Sequence, residues 1–136
     1  MAWPFDSEEQ LDEWADEFVA AHLEQPHDRD ARDASALASE PGYVAISEGQ
    51  AEALWRFILK VVERQPSEWA LGMLAAGPID DLIAMRGALF IERIEAEARE
   101  NALFRQTLTG VWQNRTPSDL WARVERARDF PASPSH

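Results

Sequence analysis

The residues that could carry chemistry in this chain are few, and each is accounted for by its place in a helix or a turn. His22 could act as a base, but no second histidine and no nucleophile shares its helical face, so it reads as a hydrogen-bonded histidine of the core or its boundary. His27, Asp28, Asp30 and Asp33 have the side chains of metal ligands, yet their spacing fits no cation loop. Asp80 and Asp81 invite a paired-carboxylate reading; following Pro78, they stand where the first turn of a helix favours acids. Glu92 and Glu95 complete the acidic candidates. Gln113, Asn114 and Arg115 mark a helix end, where Asn terminates well and Arg complements the dipole. No catalytic, cofactor or metal site is expected, and the chain is not expected to be an enzyme.

What remains is electrostatic. The net charge is −12, and residues 1–50 hold 13 Asp and Glu against only Arg29 and Arg32, a net of −11. Residues 51–136 hold 12 acids against 11 bases, a net of −1. Such an imbalance argues against nucleic acid and against anionic membrane surfaces, and it leaves a basic protein as the partner. Solubility is the plainer use of the same charge. Twelve of the 13 basic residues are Arg, a usage typical of GC-rich bacterial genomes.

The acids concentrate on one helix. Asp6 with Glu9, or Ser7 with Gln10, forms a capping box that opens it, and it is expected to run to about Leu23. At 100° per residue, Leu11, Trp14, Ala15, Phe18, Val19 and His22 form an apolar stripe. Glu9, Asp12, Glu13, Asp16, Glu17 and Glu24 lie opposite, and no Lys or Arg lies on this helix. Like charges at i,i+4 repel by roughly 0.2–0.5 kcal/mol per pair. The face therefore reads as uncompensated, which makes those six residues the candidate partner-binding surface and predicts that neutralising Asp12, Glu13, Asp16 and Glu17 together leaves stability equal or slightly higher.

The elements that position this face are all expected to be helical: no strand alternation appears, and the fold class is all-α. One domain is expected over residues 1–129, with a charged connection at 25–47 and a disordered tail at 130–136. Ser47 with Gln50 opens a second helix, about 48–64, in which Leu54, Trp55, Phe57, Ile58, Leu59, Val61 and Val62 cover more than half the circumference. It should be the central helix, and its Glu52, Arg56, Lys60 and Glu63 read as an ordinary solvated strip. Ser67 caps a short helix that Gly77 should terminate in a left-handed turn, with Pro78 starting the next. On this reading Gly77→Val is severe and Gly87→Ala mild. Helices at about 88–100 and from Leu103, with Gly110 allowing close contact, precede a last helix capped by Thr116, with Pro117 in its first position. From residue 48 onward the helices pair as short hairpins, compatible with an irregular bundle or a short stack.

The absence of cysteine excludes disulfides and cysteine-based sites. No apolar run reaches membrane-spanning length and the first residues are acidic, so a cytoplasmic protein is expected.

The run Trp69…Leu74-Ala75-Ala76-Gly77-Pro78-Ile79-Asp80-Asp81-Leu82-Ile83, then Gly87, Gly110-Val111-Trp112 and Trp121, resembles an uncharacterised bacterial domain-of-unknown-function family over about residues 55–124. Its pattern often has His before the glycine, where this chain has Arg86. The resemblance implies a small helical bacterial protein and brings no activity; the acidic first 50 residues lie outside it. The function expected is a protein–protein interaction module acting through the acidic face, in its sharpest form an immunity or antitoxin-like protein. A structural or oligomer-forming role, and a small enzyme, stand as alternatives.

Overall fold

The structure, a computed structural model, describes residues 8–23, 50–113 and 116–129. The helices are α1 (Glu8–Ala21), α2 (Ala51–Glu63), α3 (Glu68–Leu74), α4 (Asp80–Glu100), α5 (Ala102–Thr107) and α6 (Ser118–Arg128). A π-helical segment, Ala75–Ile79, joins α3 to α4, and a 3-10 turn, Leu108–Gly110, follows α5. Among the described residues there is no strand, as the apolar periodicity predicts. The expected 25–47 connection, the Asp6, Ser7 and Ser47 caps and the C-terminal tail lie outside these residues.

The central position expected for α2 is observed. Leu54, Phe57, Ile58 and Val61 are fully buried, and Trp55 is nearly so, which requires neighbours on more than one side. On one side α1 lays Leu11, Trp14, Ala15 and Phe18 against it: the Trp14 and Phe57 rings stack with centroids 3.3 Å apart, and Phe18 meets Phe57 edge-on at 5.6 Å. On the other, Trp55 meets Phe90 of α4 at 6.1 Å and Phe104 of α5 at 5.7 Å. The three pairs at 5.6–6.1 Å lie at separations where aromatic contacts add to the area they bury.

The expected elbow at Gly77 is not there. Gly77 has no left-handed φ, and the helix runs on through it. The cause is Pro78, which lacks an N–H and whose ring would strike the Leu74 carbonyl in an α-helix. Widening by one residue relieves this: the Asp80 N–H donates to the Ala75 carbonyl, five residues back, and to that of Gly77. The ladder thus absorbs the proline instead of restarting after it. Because the Asp80 N–H is engaged, the dipole-complement account of Asp80 and Asp81 loses its free helix end.

The backbone does leave helical geometry nine residues after Gly77, at Arg86 (φ −139°, ψ 18°), whose guanidinium donates to the Met85 carbonyl at 2.8 Å. Next to it Gly87 is buried against α6: a Cβ there would lie 2.5 Å from Leu120 Cδ2. Gly110 does allow close contact, since a Cβ there would lie 3.0 Å from that of Ala75. α5 is capped by Asn101, whose side-chain oxygen accepts from the Leu103 and Phe104 N–H groups at 3.1 Å each. α6 begins one residue later than expected. Pro117 is extended (φ −57°, ψ 148°) and precedes the helix, and Thr116 is buried without capping it.

Candidate functional site

Six carboxylates line the exposed side of α1, and a helix repeats nearly every fourth residue, so they fall into two rows one position apart. Glu8, Asp12 and Asp16 form the row beside α2; Glu9, Glu13 and Glu17 form the outer row. α2 and the residue that ends it carry the matching cations at the same spacing: Arg56, Lys60 and Arg64.

The inner row is fully engaged. Glu8 pairs with Arg56 and, at 2.7 Å, with Lys60. Lys60 Nζ also reaches Asp12 at 3.0 Å, and Arg64 contacts Asp12 at 3.2 Å and Asp16 at 2.7 Å. Lys60 and Arg64 are mostly covered, their side chains 19% and 25% exposed, so these cations are held against the protein and do not form the solvated strip expected of α2. The reading of the α1 face as uncompensated is therefore corrected for Asp12 and Asp16. Their counter-charges come from another helix, 48 residues on. Neutralising this row removes attraction, where the sequence predicted relief of repulsion.

Glu9, Glu13 and Glu17 are exposed, and among the described residues none has an ion-pair partner. They retain the i,i+4 repulsion expected of the whole face. Glu24 lies outside the described residues.

The pairing leaves a trace in acid–base behaviour. The Lys60 hydrogen bond first, then that of Arg64, holds the Asp12 carboxyl below its usual 3.8. Arg123, a bidentate partner from α6 at 2.6 and 2.9 Å, does the same for Glu95, below its usual 4.5. A carboxyl with a depressed folded-state pKa contributes stability above its unfolded pKa and loses it as pH falls through the folded value. Unfolding followed in denaturant should therefore show stability constant from pH 7 to about 5 and falling below about 4. Asp12→Asn should flatten that fall, and an unchanged slope would contradict the pairing.

The other chemical candidates are placed as structural groups. His22 is fully buried, its Nδ1–H donating to the Phe18 carbonyl at 2.7 Å and its ring 4.2 Å from that of Phe18. Its own carbonyl accepts from Ser67 Oγ at 2.7 Å, while that oxygen accepts from the Ala70 N–H, so one serine both caps α3 and ties down the end of α1. Glu95 is taken by Arg123, and Arg93 reaches across to Glu52 at 2.6 Å. Gln113 Nε2 donates to the Thr116 carbonyl at 3.3 Å. Among the described residues no three His, Asp or Glu side chains are grouped to hold a metal. The His27, Asp28, Asp30 and Asp33 set, and Asn114 and Arg115, lie outside those residues. No helix among the described residues is long and apolar enough to cross a membrane. Sequence reasoning missed Glu8 and Arg64, although Arg56, Lys60 and Arg64 at i, i+4 and i+8 were a visible signal.

Compared with known proteins, residues 24–132 match the model of a family described as "Family of unknown function (DUF6869)". The match is wider than the 55–124 resemblance and takes in residues 24–50, but α1 lies outside it. No curated protein and no solved structure matches the chain.

Proposed function

The chain belongs to the DUF6869 family of unknown function, and we propose that within it this protein is an interaction module that engages a basic protein through the outer row of α1, Glu9, Glu13 and Glu17. One observation carries the reading. Of the acids on α1, those beside α2 are matched one row to one row by Arg56, Lys60 and Arg64, while the outer row is left exposed with its mutual repulsion. Repulsion kept on a surface that neighbouring cations could have relieved is a cost without a structural return, and such costs gather at functional surfaces. A partner helix bearing Lys or Arg at i, i+4 and i+8 would repeat on the outer row the contact that α2 makes on the inner one. An immunity or antitoxin-like role, in which an acidic protein neutralises a basic one, is the sharpest form of this proposal.

The test is affinity capture with the triple variant Glu9→Gln, Glu13→Gln, Glu17→Gln beside the wild type. Wild-type protein should retain a basic protein whose yield falls steeply between about 50 and 300 mM salt, because exposed charges are screened over roughly a Debye length. The triple variant should lose that protein while melting at the wild-type temperature or slightly above. Equal capture by both proteins would reduce the acidity to a solubility device.

A further inference from the structure

A pocket of about 310 Å³ opens between α3 and the 3-10 turn that follows α5, far in the chain from the α1 surface and independent of its reading. Its volume lies in the small-ligand range of roughly 300–1,000 Å³. From α3 come Glu68, Leu71 and Gly72; from the other wall come Thr107, Thr109 and Gly110. Two glycines make the room. Gly110 brings the 3-10 turn against Ala75, and a Cβ at Gly72 would meet nothing within 4 Å, so any longer side chain there would occupy open space.

The hydrogen-bonding capacity of the lining is weighted to one sign. Thr107, 5% exposed, donates its hydroxyl proton to the Leu103 carbonyl at 2.7 Å, and Thr109 donates its own to the Gln106 carbonyl at 2.6 Å. A hydroxyl has one proton, so both offer only lone pairs to anything in the pocket. Glu68 is the one charged residue lining it, and among the described residues its carboxylate has no ion-pair partner. The exposed Gln106 amide can turn either its donor or its acceptor inward. A carboxylate and two acceptor-only hydroxyls around a wall of leucine and glycine suit a donor-rich cationic head on an apolar stem. We infer that the pocket binds an alkyl ammonium or alkyl guanidinium group, carried by a free amine or by an Arg or Lys side chain of a polypeptide.

The experiment is an amide-resolved NMR titration of the full-length, isotope-labelled protein with agmatine and, separately, with Nα-acetyl-L-arginine amide. The amides of Gly72, Thr109 and Gly110 should move together and saturate. Agmatine alone producing the shifts identifies a free amine as the source; both probes producing them identifies a polypeptide side chain. Glu68→Gln should weaken the effective probe by roughly tenfold, as expected for one lost charge-assisted contact. Gly72→Leu should abolish the response by filling the pocket. The Glu9, Glu13, Glu17 triple variant should bind as wild type does, which separates this site from α1. No saturable shift at those three amides with either probe, equal shifts with propionate, shifts that survive Glu68→Gln and Gly72→Leu, or loss of binding in the triple variant would each overturn the inference.

Discussion

Phe57→Ala is expected to lower the unfolding free energy by about 3–5 kcal/mol, a large part of the 5–15 kcal/mol that holds a domain of ordinary stability together. Phe57 has no exposed surface, and its ring is the point at which α1 is attached: Trp14 stacks on it and Phe18 meets its edge. Truncation leaves a cavity between α1 and α2, where the buried Leu11, Ala15 and Phe18 lose part of the apolar surface they pack against. The ion pairs between the two helices contribute little in comparison and do not make up the loss. Urea unfolding followed by both circular dichroism and Trp fluorescence checks this, and the variant should also lose part of its helical signal before the main transition. A loss below about 1 kcal/mol would mean that α1 is held by something other than this aromatic cluster.

The second large effect falls on glycine, in the opposite order to that expected from sequence. Gly87→Val should lose about 1–3 kcal/mol, because its Cβ alone would sit 2.5 Å from Leu120 Cδ2 and the branch would push α6 away from α4. Gly87→Ala should lose less, since Leu120 is only partly buried and its terminal methyl can turn aside. At Gly77 the neighbourhood is empty and the backbone helical, so Gly77→Ala should be neutral or stabilising by about 0.5–1 kcal/mol through reduced chain entropy. Melting curves of Gly87→Val and Gly77→Ala side by side decide the matter. A more damaging change at Gly77 than at Gly87 would restore the elbow and contradict the continuous helix.

These two glycines show where local signals are informative and where they end. The stripe Leu11, Trp14, Ala15 and Phe18 is buried as its 3.6-residue period requires, and α2 is central because its apolar residues left no wide polar face. Ser67 caps α3 as its type and position predict. Gly77-Pro78 was ambiguous because a glycine followed by a proline is the signature both of a helix end with a new start and of a ladder that widens around a missing N–H. Only the packing of both flanking helices into one core selects between them. Gly87 looked harmless because its partner, Leu120, is 33 positions away in the chain, outside any local pattern.

The candidate surface was legible in outline for the same reason and incomplete for the same reason. Helical periodicity puts Glu9, Asp12, Glu13, Asp16 and Glu17 on the polar side of α1, and that is where they are. It does not reveal that Arg56, Lys60 and Arg64 lie beside one edge of that face, because the pairing depends on how two helices separated by a long connection dock. The family match adds no site, since it begins at residue 24, after α1 ends.

The division of α1 into an inner structural row and an outer free row is tested most directly by denaturant unfolding of two double variants at low salt and neutral pH. Asp12→Asn with Asp16→Asn removes the inner acids; Glu13→Gln with Glu17→Gln removes the same number of charges from the outer row. The first pair should lower the unfolding midpoint, because Lys60 and Arg64 lose partners 2.7–3.2 Å away. The second should leave the midpoint unchanged or raise it as i,i+4 repulsion is relieved. Equal midpoints for the two variants, or a lower midpoint for the outer pair than for the inner, would contradict the division.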